Sequence, residues 1–230
     1  MKIAHFIIAW LFLALFLNSA RTFAALDFNG TSDELSGAAI LTAAPLSICA
    51  WVNSDSATAR QVIVSLGLSS GDHRFTLGLQ GDVSDNVEFT TRDTASSVAL
   101  TSTTYSAGTW HHVCGVTAAA NSRAAYLDGG GKGTSAGSAT PVGIDSASIG
   151  RRPVTAQFFN GRIAEVGIWN RALSDAEVLS LSKGFSPACL RTGLVNYTKL
   201  VRTVQDEARA FAWTTTGTTV ADHPRIFNCF

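Results

Sequence analysis

Carboxylates, histidines and arginines are the side chains here that could do chemistry, and their spacing limits what that chemistry is. Retaining hydrolysis of a glycosidic bond needs two carboxyl groups about 5–5.5 Å apart on one surface. On a strand this means acidic residues at even spacing, because successive side chains alternate between faces. The densest acidic set is Asp82, Asp85 and Glu88, whose steps of three put neighbours on opposite faces. Asp82 and Asp85 also fall in a turn-like stretch, so a glycoside hydrolase finds little support. His111 and His112 are adjacent on a strand-like run and point to opposite faces, so they cannot act on one substrate. No G-x-S-x-G elbow accompanies them, and catalytic residues are expected to be absent. Arg151 and Arg152 stand near Gln157 in RRPVTAQ, a grouping suited to an acidic sugar or another carboxylate through bidentate guanidinium bonds. Trp51, Trp110 and Trp169 lie in strand patterns and read as core. Phe158, Phe159, Trp213 and Tyr105 read as the surface aromatics that could stack on a sugar.

The elements that must position these residues are strands. PLSICAWVNS, QVIVSLGLSS, HRFTLGLQGD and NVEFTTRD are short apolar or alternating runs between Gly, Asp, Asn and Ser. TWHHVCGVTAA and SRAAYLDGGGKG read as a further hairpin, closed at its far end by Asp128-Gly129, and ALDFNGTSDELSG as an opening hairpin turning at Asn29-Gly30. SASIGRR and GRIAEVGIWNRAL complete the set. One short helix is expected near 174–183, where Ser174 and Glu177 fit a capping box, Val178, Leu179 and Leu181 supply an apolar face and Gly184 ends it. The fold class is therefore all-β, a two-sheet antiparallel sandwich with one helix.

Composition bounds the setting. Phe6–Leu17 is an unbroken apolar run of 12 residues after Lys2, followed by small residues. This is the pattern of a signal peptide over 1–24, and it falls short of the roughly 20 residues of a bilayer span. The expected location is secreted or extracytoplasmic, with no integral membrane segment after cleavage. The 17 basic and 17 acidic residues balance, which speaks against nucleic acid as a partner. Four cysteines in an exported chain point to two disulfides, with three pairings open.

In order, ALDFNGTSDEL, LSICAWV, TWHHVCGV, AAYLDG, SASIGR and FNGRIAEVGIWNRALSDAEV resemble the concanavalin A-like lectin/glucanase superfamily, in its laminin G-like and pentraxin-like jelly-roll branches. The resemblance covers 25–187. It leaves 188–230 as a C-terminal strap on the same domain, whose TTGTTVADHPRI looks like an ending of bacterial and phage members. It implies a Cys49–Cys114 disulfide between neighbouring strands, which leaves Cys189 with Cys229. It also implies places to look for calcium. Asp72 and His73 stand where pentraxin-like domains begin their calcium site, but Arg151 and Arg152 replace the carboxylates of its second loop and would repel a cation. Laminin G-like domains hold a structural calcium elsewhere, for which Asp27, Asp33 and Asp128 are candidates, although each also suits a turn. Glu165 sits where relatives show an acidic pair, with Ala164 replacing its companion. The function implied is non-catalytic recognition of carbohydrate or another surface ligand. The alternative is a structural or assembly module of a cell envelope or virion surface. No oligomeric state follows.

Overall fold

A computed structural model describes residues 24–200, 208 and 211–229. The expected signal peptide lies outside the described residues, apart from Ala24, which opens the first strand. The strands in chain order begin with β1 (Ala24–Asn29), β2 (Glu34–Ala38), β3 (Leu46–Ser54), β4 (Arg60–Gly67), β5 (Arg74–Gln80) and β6 (Asn86–Arg92). Next come β7 (Ser96–Thr104), β8 (His111–Ala119), β9 (Ser122–Leu127), β10 (Gly130–Ser135) and β11 (Ser146–Ile149). A small hairpin of β12 (Arg151–Arg152) and β13 (Thr155–Phe158) precedes β14 (Asn160–Trp169) and helix α1 (Asp175–Ser182). A 3-10 turn (Pro187–Cys189), β15 (Leu194–Thr198), β16 (Thr214–Thr216) and β17 (Thr219–Asp222) follow.

Two antiparallel sheets stack as a jelly-roll sandwich. The order in sheet A is β10-β9-β8-β3-β14-β1-β17, with β15 also on β14, and in sheet B it is β16-β2-β11-β4-β5-β6-β7. Alternation turns Ile48, Ala50, Val52, Val113 and Ile163 of sheet A towards Leu35, Val64, Leu66, Phe75, Leu77 and Phe89 of sheet B, forming the main core. The sheets approach closely where Gly115 of β8 meets the Phe89 ring, so a side chain at 115 would collide with it.

Sheet A is covered on its outer side as well. Cys49, Cys114, Val116, Tyr126 and Trp169 form a second cluster with Leu173, Val178 and Leu181 beneath α1. Burial on both faces explains why LSICAWV and WHHVCGV read as nearly continuous apolar runs. Cys49 and Cys114 are register partners of β3 and β8 with Cα atoms 4.1 Å apart, and they are disulfide-bonded. Cys189 and Cys229 are bonded too, with Cα atoms 5.5 Å apart.

The helix forms for the local reason expected. Ser174 accepts from the Glu177 amide while the Glu177 carboxylate reaches back to the Ser174 amide, which closes the capping box. The Arg171 guanidinium clasps the same carboxylate at 2.6 and 2.9 Å and holds its pKa down to about 2. Val178 and Leu181 are buried, whereas Leu179, expected on the same apolar face, is 45% exposed. An eight-residue helix lying on a sheet needs only one narrow stripe.

The opening hairpin is corrected. β1 pairs with β14 and β17 in sheet A, and β2 pairs with β11 and β16 in sheet B. The Asn29-Gly30 turn is an arch between sheets. Asn29 Oδ1 accepts from the amides of Thr31, Ser32 and Asp33 at 2.9, 2.9 and 3.2 Å, which curls the chain out of β1 instead of back along it. Asp128-Gly129 does close the β9–β10 hairpin, with φ of 53° and 75° matching a type I′ turn.

Candidate functional site

The outer face of sheet B is polar, and its rows can be read from the register. Ser148, Ser65, Thr76 and Thr90 form one row across β11, β4, β5 and β6. All four are buried, although alternation turns them away from the core. The β12–β13 hairpin packs against β4 on this side. In the next row Arg74 of β5 stands directly opposite Arg92 of β6. Like charges at paired positions destabilise a sheet, so the arrangement costs stability unless something anionic sits between them.

Part of that counter-charge is Asp72, from the loop before β5. It accepts hydrogen bonds from Arg74 and from Arg152 Nη2 at 3.0 Å and is ion-paired with Arg92, whose Nε lies 2.5 Å away. Three guanidinium groups thus share one carboxylate. Arg152 also donates to Gln157 Oε1 at 3.3 Å. Burial, then repulsion from Arg152 and Arg92, pushes Arg74 down to about 10 against the pull of Asp72. Arg152 is lowered in the same way, first by burial, with Asp72 opposing and Arg92 adding to the fall. Further along the face, Arg60 lies between Asp82 at 3.5 Å and Glu88 at 3.7 Å, and Glu88, itself buried, has a raised pKa because of that burial.

The structure therefore brings Asp72, Arg152 and Gln157 together and adds Arg74 and Arg92, which sequence reasoning missed. The signal that could have found them is two arginines at outward positions of consecutive strands; it becomes legible only once the register is known. Two expected partners do not join. His73 Nδ1 accepts from the Val142 amide at 3.1 Å. Arg151 turns to Glu34 Oε1 at 2.8 Å and lies over the Phe158 ring. Neighbouring residues of a two-residue strand point to opposite sides, which is why Arg151 and Arg152 separate.

The acidic residues considered for calcium are dispersed. Asp27 faces Arg162 at 3.5 Å. Asp33 lies in the β1–β2 arch and accepts from the Asn29 amide at 3.1 Å. Asp128 sits in the β9–β10 turn, bonded to His111 Nδ1 at 2.8 Å and to the His112 amide at 2.9 Å. Among the described residues no group of three or more His, Cys, Asp or Glu side chains converges as a metal site. Glu165, at a bulge of β14 with φ of 54°, accepts from the Tyr197 hydroxyl at 2.6 Å and lies 3.3 Å from His223, so it holds the C-terminal segment against sheet A.

The aromatic assignments largely reverse. Phe159, Tyr105 and Trp213, read as surface residues, are core. Phe159 packs edge-on to Phe28, and Trp213 donates its indole N–H to Thr198 Oγ1 at 3.0 Å. Phe158 is half-buried under Arg151. Trp169 is fully buried as expected, but Trp51 and Trp110 are only half-buried, because they project from the outer face of sheet A.

A family model for the concanavalin A-like lectin/glucanases superfamily matches residues 28–179. The chain belongs to this superfamily. No curated protein matches it in sequence. Among solved structures, a candidate carbohydrate-binding protein from Bacteroides ovatus is similar at TM-score 0.64 and 20% identity, over 87% of this chain and 60% of that one. The chain thus spans 60% of the length of that protein. A native heptameric SAP-like pentraxin from Limulus polyphemus is similar at TM-score 0.60 and 14% identity, over 89% and 97% of the two chains. The CBM40 module of the Ruminococcus gnavus IT-sialidase, bound to α2,3-sialyllactose, is similar at TM-score 0.51 and 17% identity, over 62% and 83%. These likenesses establish the concanavalin A-like fold, whose ligand sites vary from member to member. Among the described residues no helix is long and apolar enough to cross a membrane. The two disulfides fit an oxidising compartment outside the cytoplasm.

Proposed function

We propose that this is an exported, non-catalytic carbohydrate-binding domain whose arginine-lined face on sheet B receives an acidic sugar. One observation carries the reading, the placing of Arg74 opposite Arg92 with Arg152 above them and a single carboxylate, Asp72, among the three. A carboxylated ring offers the planar, two-oxygen acceptor that guanidinium groups match, and it relieves their mutual repulsion. The sialylated ligand of the Ruminococcus gnavus module and the sugar-binding description of the Bacteroides ovatus protein support the ligand class. The leader-like segment and the disulfides support export. Of the carboxylates on this face, Asp72 is shared by three arginines and Asp82 and Glu88 both engage Arg60, which supports binding without turnover.

Calorimetry with 3′-sialyllactose and trigalacturonate tests this. The wild type is expected to bind at least one of them, and Arg92→Ala to weaken it by about tenfold or more, the loss of one charge-assisted pair. Wild-type affinity in Arg92→Ala, or no binding of either sugar to the wild type, would overturn it.

A further inference from the structure

The outer face of sheet A has the opposite chemistry. Outward positions there follow from the core, since Ala50 and Val52 of β3 and Ile163 of β14 point inward. Trp51, Asn53 and Arg162 must then point outward, with Asn53 paired to Arg162 and Arg162 to Asp27 across neighbouring strands. Trp110, the residue before β8, extends the Asn53 row on its other side. Among the described residues, helix α1 covers the Cys49–Cys114 end of this face. Beyond it, Asn53, Trp110, Arg162, Ala221 and Asp222 line a depression of about 520 Å³, within the range of small-ligand sites.

Three features point to what would fill it. Trp110 is half-buried, leaving part of its indole open, and an indole face accepts the C–H face of a pyranose as readily as another flat apolar surface. The neighbouring Trp51 is braced edge-on by His112, with ring centroids 5.5 Å apart. Asn53 is 94% buried in the wall, and its amide carbonyl Oδ1 has no hydrogen-bond partner among the described residues, while its Nδ2 reaches Gly108 O at only 3.4 Å. A buried acceptor without a donor is an uncommon cost, and a small amide rotation would offer this group to a hydroxyl at the wall. The third feature is charge. Arg162 is held between Asp27 at 3.5 Å and Asp55 at 3.0 Å. Two acids around one guanidinium disfavour an anion and suit the hydroxyl donors of an uncharged polyol. Asp27 shows the strain of this setting, its pKa raised by burial first and further by Asp55, against Arg162.

We propose that this depression is a second binding site, for a neutral sugar ring stacked on Trp110 and hydrogen-bonded by Asn53 and the carboxylate-flanked Arg162. It stands on observations separate from those at the arginine face, and it holds or fails without that reading.

The test is titration of the full chain with cellotetraose and xylotetraose, followed by tryptophan fluorescence and calorimetry. At least one should bind saturably with a change in emission. Trp110→Ala should weaken it by about tenfold or more, in line with a lost stacking contact, and Arg92→Ala should leave it unchanged. Ala221→Trp, at the lining position of β17 on the Asp27 side of the sheet, fills the rim and is expected to weaken binding too; it decides the matter should Trp110→Ala unfold. Silence with both sugars overturns the proposal, as does retained binding in Ala221→Trp together with a folded Trp110→Ala. A matching loss in Arg92→Ala would also overturn it, because the sugar would then sit on the other sheet.

Discussion

His112 shows how a single buried side chain sets the pH response. It lies on the outer face of sheet A beside Trp51, fully buried, and burial lowers its pKa from 6.5 to about 4 against the pull of Asp128. The folded protein therefore holds it neutral, whereas the unfolded chain protonates it below about 6.5. Its contribution is fully present above that value and is lost as pH falls towards 4, about 3 kcal/mol in all. Urea unfolding near pH 7 and pH 4.5 should show the wild type losing more stability than His112→Gln, by about 2–3 kcal/mol. Equal losses would show that the ring is not held neutral. Alternation sends the ring of His111, one residue earlier, to the Asp128 carboxylate and Ser106 instead. That separation was legible in the sequence, since it needs only the period of a strand. The exposure of Trp51 and Trp110 was not, because period two assigns a residue to a face without saying whether anything covers that face.

At the scale of elements, the staple between β3 and β8 joins strands already paired in sheet A. It closes a loop of 65 residues, so its chain-entropy contribution is about 4 kcal/mol. The paired substitution Cys49→Ala with Cys114→Ala should lower unfolding stability by up to about that amount, read from the denaturant midpoint, while the far-UV spectrum of the sheets is retained. A loss of less than about 1 kcal/mol would mean that the unfolded chain is not constrained by this link. The strands, the β9–β10 turn and the capping box of α1 were all legible, because each depends on residues within a few positions of one another. The arch from β1 to β2 was not. The Asn-Gly signal marks a reversal, but whether the next strand pairs with its predecessor or crosses to the facing sheet depends on β11, β14, β16 and β17, which lie over 100 residues away.

The whole molecule is a sandwich whose two outer faces differ in charge and chemistry. Sheet B presents Arg74, Arg92 and Arg152 around Asp72, and sheet A presents Trp110 with Asp27 and Asp55 about Arg162. The core and both sheets lie between the two sets, so they are expected to act independently, and the losses in an Arg92→Ala/Trp110→Ala double variant should add within about 0.5 kcal/mol. Binding of an acidic sugar should weaken as salt rises, while binding of a neutral one should hardly respond, because only the first depends on exposed charge. Calorimetry at about 0.05 M and 0.5 M NaCl separates the two; a shared salt dependence would argue for one site. Sequence alone determined that the chain is built from strands, that its cysteines belong to an oxidising compartment and, through ordered motifs such as LSICAWV and WHHVCGV, which superfamily it joins. These rest on local periodicity, composition and linear order. Only the tertiary structure decided which arginines meet, which tryptophans stay open and which turn is an arch. Each of those depends on register between strands far apart in the chain and on what lies over the outer face of each sheet, and through-space pairing of that kind leaves no local mark.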